Sequence, residues 1–231
     1  MTGFGEDKCG ISTQLAALIP EWQEADNTLI DQLLADASIV RLDRDNFVFR
    51  AGDLCEAFLI MLSGSVRVQL ISSNGREVTL YRIGPGGSCI LTTSCLLSRE
   101  HYPAEAITES DTRALAISTT AFQVALESSQ WFRKFVFDGF SSRLTSVIQK
   151  IEEIAFTPID VRLAAFLLEL DDSRTQDLTH QDIAVELGTA REVVSRHLKR
   201  FESQGWVELG RGQISVVDRH SIEVVARSVG D

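Results

Sequence analysis

The chain has 231 residues, 44% of them hydrophobic, and a formal net charge of -11 at pH 7. That length and apolar content exclude a wholly disordered chain and suffice for one medium core plus a second small one, so two domains are expected. The acidic balance excludes a uniformly basic coat for nucleic acid and leaves local basic patches as the only DNA-facing surfaces to look for. No run of eighteen or more apolar residues occurs, and Glu6, Asp7 and Lys8 stand where a secretory signal would be apolar. A cytoplasmic protein with no membrane partner is expected. Cys9, Cys55, Cys89 and Cys95 are too sparse for a disulfide-stapled fold and should start as free thiols.

In chain order, Leu15, Leu18, Ile19, Trp22, Leu29, Ile30, Leu33 and Leu34 fall at helical spacing, and Pro20 divides two short helices over 12–37. From Val40 to about Ile117 the period drops to two and turn residues recur at Ala51-Gly52-Asp53, Ser63-Gly64 and Gly84-Pro85-Gly86-Gly87. This predicts a small all-β domain, a roll or jelly roll. Val66, Val68 and Leu70 on one side of Asn74-Gly75, with Val78 and Leu80 on the other, predict a tight hairpin. Between Ser118 and Phe156 the helical period returns, first around Phe122 and Leu126, then over about 25 residues, roughly 38 Å of helix. Phe140, Leu144, Val147, Ile151 and Ile154 step by four, three, four and three, which is a heptad seam. The seam either packs on the β domain or joins two copies. Thr157-Pro158 then ends the helix and predicts a hinge.

Beyond an amphipathic helix at 160–171, Thr179 is a good N-cap for a helix running through Ile183, Ala184 and Leu187 and stopping at Gly188. A third helix follows from about Thr189, with Val193, Val194, His197, Leu198 and Phe201 on its apolar side. The pair reads as a helix-turn-helix, and Trp206–Leu209 with Ile214–Val217 around Gly210-Arg211-Gly212 reads as its wing. Arg191, Glu192, Ser195 and Arg196 fall in the first two turns of the third helix, with Lys199 one turn on. Arginine can fork onto guanine O6 and N7, glutamate can accept from cytosine N4, and serine can bond several base edges. The same residues could form an ordinary solvated helix face, but the helix-turn-wing context favours base reading. Thr179 and Lys199 complete the expected DNA-facing set.

The stretch LTHQDIAVELGTAREVVSRHLKRFESQGWVEL, within 178–217, resembles the DNA-binding domain of the cyclic-AMP receptor protein and fumarate-nitrate reduction regulator family. GDLCEAFLIMLSGSVRV, Gly52 to Val68, is similar to that family's β-roll signature, and the long helix before Pro158 is similar to its dimer helix. The resemblance implies an α+β chain in three parts: N-terminal helices and a β-roll, jelly-roll-like sensor domain over 1–117, a dimerisation helix and hinge over 118–157, and a winged helix-turn-helix over 158–231. It implies a homodimer on double-stranded DNA at an inverted repeat with TGA-core half-sites, with RNA polymerase as a further partner. By position, Glu192 and Arg196 match the main base readers, Ser195 the fumarate-nitrate branch, and Arg191 the cyclic-AMP branch.

In nucleotide-binding members of that family a Gly-Glu pair opens the phosphate cassette and an arginine closes it. Here Ser88 follows Gly87, His101 to Ala106 contains no arginine, and Glu105 adds a negative charge. Cyclic AMP is therefore not the expected effector. Cys89 and Cys95 in the former cassette suggest a thiol sensor, with Cys55 and Cys9 as further thiols; the competing reading is that they are small buried hydrophobes. A continuous helix would put Cys89 and Cys95 about 9 Å apart along its axis, beyond disulfide reach. An iron-sulfur cluster is the rival cofactor, although the clustered N-terminal cysteines of oxygen-sensing relatives reduce here to Cys9. Haem, with His101 or a cysteine as axial ligand, stays open, and so does a regulator indifferent to thiol state. His180, His197 and His220 make no metal spacing. A jelly-roll enzyme would need several histidines and carboxylates inside the β region, where only His101 is found, so no enzyme is expected.

Overall fold

The structure is a computed structural model that describes residues 8–73, 75, 77–170, 178–210 and 212–228, the side chains of Lys8 and Cys9 excepted. Two compact units emerge: Met1–Gln69 with Leu80–Ser146, and Leu70–Thr79 with Val147–Asp231.

The first unit opens with α1 (Lys8–Leu18) and α2 (Asn27–Ala35), separated by a 3-10 turn at Pro20–Glu24. Pro20 starts that turn, where its missing amide costs nothing, and the Asp26 side chain caps α2 by accepting from the Thr28 amide at 2.7 Å. Two antiparallel sheets follow. One orders β1 (Ser38–Leu42), β7 (Thr112–Ser118) and β3 (Ala57–Ser63); the other orders β2 (Phe47–Phe49), β6 (Glu105–Thr108), β4 (Val66–Ile71) and β5 (Glu77–Ile83). Alternate residues Phe58, Ile60 and Leu62 of β3 point inward, as do Leu115 and Ile117 of β7, and all five are buried. They meet Leu15, Trp22, Leu33, Phe122 and Phe132 in one core. Within it Phe58, Phe122 and Phe132 contact one another with ring centroids 4.9 to 6.1 Å apart. The expected hairpin between β4 and β5 is present, but residues 72–76 connect it, longer than a two-residue turn. Gly75 supplies a φ of +78° and its amide donates to the Ser72 carbonyl, while Asn74 lies outside the described residues.

After α3 (Ile90–Ser98), Ser118 caps α4 (Thr119–Ser128), and α5 (Gln130–Phe156) runs unbroken for 27 residues. Phe132 and Val136 fix its start in the β-roll core. Further along, Phe137, Leu144, Ile148 and Ile151 are 44 to 59% exposed. Of the residues of the expected seam, Leu144 and Ile151 belong to that stripe, while Phe140, Val147 and Ile154 are half-buried. At 3.6 residues per turn a neighbouring row takes over, and Ile154 instead lies against Gly188, where an added Cβ would come 3.0 Å from its Cδ1.

The second unit contains α6 (Ile159–Glu169), α7 (His180–Glu186), α8 (Arg191–Ser203), the hairpin β8 (Val207–Gly210) and β9 (Gln213–Val216), and α9 (Arg219–Ala226). Pro158 caps α6, so the predicted break and helix start fall together. Leu163, Ile183, Ala184, Val194, Leu198, Phe201, Ile214 and Ile222 close a separate small core. Ala184 is fully buried where α7 and α8 converge, which explains the need for a small side chain.

Candidate nucleic-acid interface

Local chemistry fixes the helix-turn-helix. The Thr179 hydroxyl accepts the Asp182 amide at 3.1 Å, and the Asp182 carboxylate accepts the Thr179 amide at 2.8 Å, a reciprocal capping box that sets where α7 begins. Thr179 also donates its hydroxyl to that carboxylate, so its side chain is committed to the cap while remaining at the surface. Gly188 turns the chain with φ +59°, a conformation that favours glycine, and α8 starts three residues later.

On α8, Val194, Leu198 and Phe201 are buried, which forces the polar residues outward at the complementary positions. Arg191, Glu192, Arg196 and Lys199 are exposed and Ser195 is half-buried. Together these five line one open groove of about 480 Å³, so all the residues expected to read bases come together. Three cations and one carboxylate give this face a local positive balance in a chain of net charge -11. Arg200, also basic in sequence, is not part of the groove. It pairs with Asp160 of α6 at 2.9 Å, and its hydrogen bond holds that carboxyl below the usual carboxylate range. A second cavity of about 430 Å³ lies between the start of α7 and the wing, lined by His180, Gln181, Arg191 and Gln213 among others. Sequence reasoning missed one contact: His180 Nδ1 lies 2.8 Å from Ser195 Oγ. Fifteen residues separate the two, and only the crossing of α7 and α8 brings them together. Arg211, expected in the wing, lies outside the described residues.

Comparison with known proteins matches residues 161–224 to the Crp-like helix-turn-helix domain and residues 39–129 to the cyclic nucleotide-binding domain. The chain belongs to the CRP/FNR family of transcription regulators. It is 28% identical over 182 residues to the cyclic AMP receptor protein of Thermus thermophilus, covering 78% of this chain and 83% of that protein. Against the transcriptional regulator SdrP of the same organism it is 26% identical over 206 residues, 81% of this chain and 96% of that one. In structure it resembles a transcriptional regulator of the CRP/FNR family from Eubacterium rectale with a TM-score of 0.82 and 27% identity, covering 92% of this chain and all of the other. Like these relatives, this CRP/FNR-family chain is a regulator and not an enzyme.

Its cyclic nucleotide-binding fold holds the remaining candidate residues. Cys89 caps α3 with its Sγ 3.3 Å from Tyr81 Oη. Cys55 Sγ lies 3.1 Å from Tyr102 Oη, which in turn is 3.0 Å from Thr92 Oγ1. Burial pushes the Cys95 thiol up to about 11, helped by the neighbouring Cys55 and Cys89 thiols, and burial also raises Cys55. Cys55 and Cys95 are therefore protonated near neutral pH. Cys89 stands in extended conformation just ahead of α3 and Cys95 lies inside it, so the continuous helix through both that the 9 Å spacing assumed is not what forms; both are free thiols. The Cys9 side chain lies outside the described residues. Among the described residues no three His, Cys, Asp or Glu side chains converge on a metal position. His101 is exposed with Nδ1 2.8 Å from the Gly52 carbonyl. No helix among the described residues is long and apolar enough to cross a membrane.

Proposed function

We propose that this CRP/FNR-family regulator is a cytoplasmic homodimer that reads an inverted repeat with TGA-core half-sites through α8 and is controlled by the thiol state of its β-roll. The groove built from Arg191, Glu192, Ser195, Arg196 and Lys199 carries the DNA reading. It presents a guanine fork, a cytosine acceptor and a phosphate-range cation on one exposed helix face. The stripe of Phe137, Leu144, Ile148 and Ile151 supports the dimer, since its spacings of seven, four and three leave an apolar row on the surface of one copy. A two-fold dimer makes the site palindromic. RNA polymerase is the partner through which the bound dimer would act.

Thiol control is supported by the position of Cys89. Its partner Tyr81 has Arg143 of α5 over its ring at 5.9 Å, so a modified Cys89 would lose the tyrosine hydrogen bond beside the long helix. Cyclic AMP is not the effector in this reading, because Ser88 replaces the cassette acid and Glu105 stands half-buried on β6. Neither an iron-sulfur cluster nor haem is assigned in this reading, because no three His, Cys, Asp or Glu side chains among the described residues make a metal position. The test is the affinity of the purified chain for a TGA-core palindrome and a scrambled duplex at one salt concentration, reduced and after persulfide treatment. A preference for the palindrome that shifts with treatment in wild type, but not in Cys89→Ser, supports the proposal. An unshifted preference removes the thiol half, and equal binding to both duplexes removes the DNA half.

A further inference from the structure

His180 is the first residue of α7, and the Thr179–Asp182 capping box holds its backbone in place. Its half-buried ring sits against α8 with Nδ1 2.8 Å from Ser195 Oγ. Ser195 also lines the α8 groove, so one hydroxyl faces the histidine and the DNA side together. Such a hydroxyl has one proton and two lone pairs, and what it gives the histidine it cannot give a base.

We propose that His180 is a positioning residue for sequence reading: its ring decides whether the Ser195 hydroxyl offers the neighbouring base a lone pair or a proton. When Nδ1 is unprotonated, Ser195 donates to it, and the serine presents only lone pairs to the groove. Those lone pairs suit the amino groups of adenine N6 or cytosine N4. When Nδ1 carries a proton, in the other tautomer or the imidazolium, it donates to Ser195 Oγ. The serine proton is then released toward acceptors such as guanine O6, thymine O4 or purine N7. No bond other than these hydrogen bonds changes.

The surroundings bias this choice. Burial, and then the positive charges of Arg191 and Lys199 on α8, lower the His180 pKa, favouring the neutral ring in free protein. On its own helix the nearest carboxylate, Asp182, is committed to the cap. The described wing residues that share its cavity, Gly210, Gly212, Gln213 and Ile214, carry no charge. Acid therefore opposes the resting state and moves the pair toward proton donation by Ser195. Hydrogen positions on the ring are what the experiment must read.

The inference rests on α8 reading bases, and the test separates the two. Full-length wild type, His180→Asn, His180→Arg and Ser195→Ala are titrated against half-site duplexes carrying all four base pairs at each position, at about pH 8 and about pH 5.5. Asparagine keeps a neutral hydrogen-bonding group near Nδ1 at both pH values, while arginine offers only donors. In wild type, acid should change the base preference by about fivefold or more at the one position read by Ser195, and leave other positions unchanged. His180→Asn and Ser195→Ala should abolish that change, and His180→Arg should show the acid preference at both pH values. If His180→Asn keeps the wild-type preference and its pH dependence while Ser195→Ala alters it, Ser195 reads bases without His180 and the inference falls. A uniform acid effect across all positions would mean that His180 acts only as a charge near phosphate, which also overturns it. If wild type shows no base preference at all, the DNA reading fails first and this role with it.

Discussion

The α8 face and the α3 segment both concentrate chemically capable side chains, and they hold them in opposite ways. On α8, Arg191, Glu192, Arg196 and Lys199 stand exposed because Val194, Leu198 and Phe201 consume the inner face, so the polar residues have no packing task. On α3, Cys89 and Cys95 are buried, and Cys89 and Cys55 are tied to tyrosine hydroxyls. The first arrangement leaves charged groups free to face solvent or a partner. The second is taken up by packing and by hydrogen bonds within the chain. Cys55 and Cys95, being protonated, are also slow nucleophiles compared with a thiolate.

Substitutions in the two regions should therefore fail differently. The largest effect is expected from placing charge on the exposed stripe of α5: Ile148→Glu with Ile151→Glu should convert a dimer to a monomer by sedimentation, and an unchanged particle would remove the dimer seam. Next, Arg196→Ala should lower affinity for the specific duplex by about tenfold or more while leaving binding to a scrambled duplex and the melting temperature nearly unchanged. Equal losses on both duplexes would mean that Arg196 touches only phosphate. In the buried region the pattern reverses: Cys95→Ser, which puts a hydroxyl in an apolar site, should cost about 1–3 kcal/mol in urea unfolding. Reduced DNA affinity should stay unchanged once the protein is folded. The smallest effect should come from Asp160→Asn, which breaks the partly exposed pair with Arg200 and should cost less than about 1 kcal/mol. Because the Asp160 pKa is lowered in the fold, the pair stabilises fully above the ordinary carboxylate pKa of about 3.9. That contribution fades as pH falls through the lower folded value. Acid unfolding curves of wild type and Asp160→Asn should thus converge at low pH, and a gap that persists there would contradict the assignment.

The same contrast explains how much was legible in the sequence. Thr179, Gly188 and the apolar period of 193–201 each have one local reason to occur, so the helix-turn-helix and its exposed polar face were readable before any fold was known. Thr157-Pro158 likewise marked the end of the long helix, and Pro158 also stands at the N-cap of α6. On α5, period alone ranked Phe140, Leu144, Val147, Ile151 and Ile154 together, whereas long-range contacts decide which row stays exposed on one copy, and Ile154 lies against Gly188. Arg200 lies on the same helix as the basic patch, but its pairing with Asp160, forty residues away, could not be read from the sequence. The tyrosine partners of Cys55 and Cys89 and the His180–Ser195 pair were illegible for the same reason, since strand and helix crossings create them. Signals that close within a few residues survive in sequence; those that need two elements to meet do not.

The account stands or falls on whether the α8 face selects bases. Repeated selection of bound duplexes from a pool with a randomised centre, using wild type and Arg196→Ala side by side, tests it most directly. Wild type should enrich an inverted repeat with TGA in each half, and Arg196→Ala should lose the preference at one symmetric pair of positions. Enrichment of no motif by wild type, or of the same motif by both proteins, would contradict it.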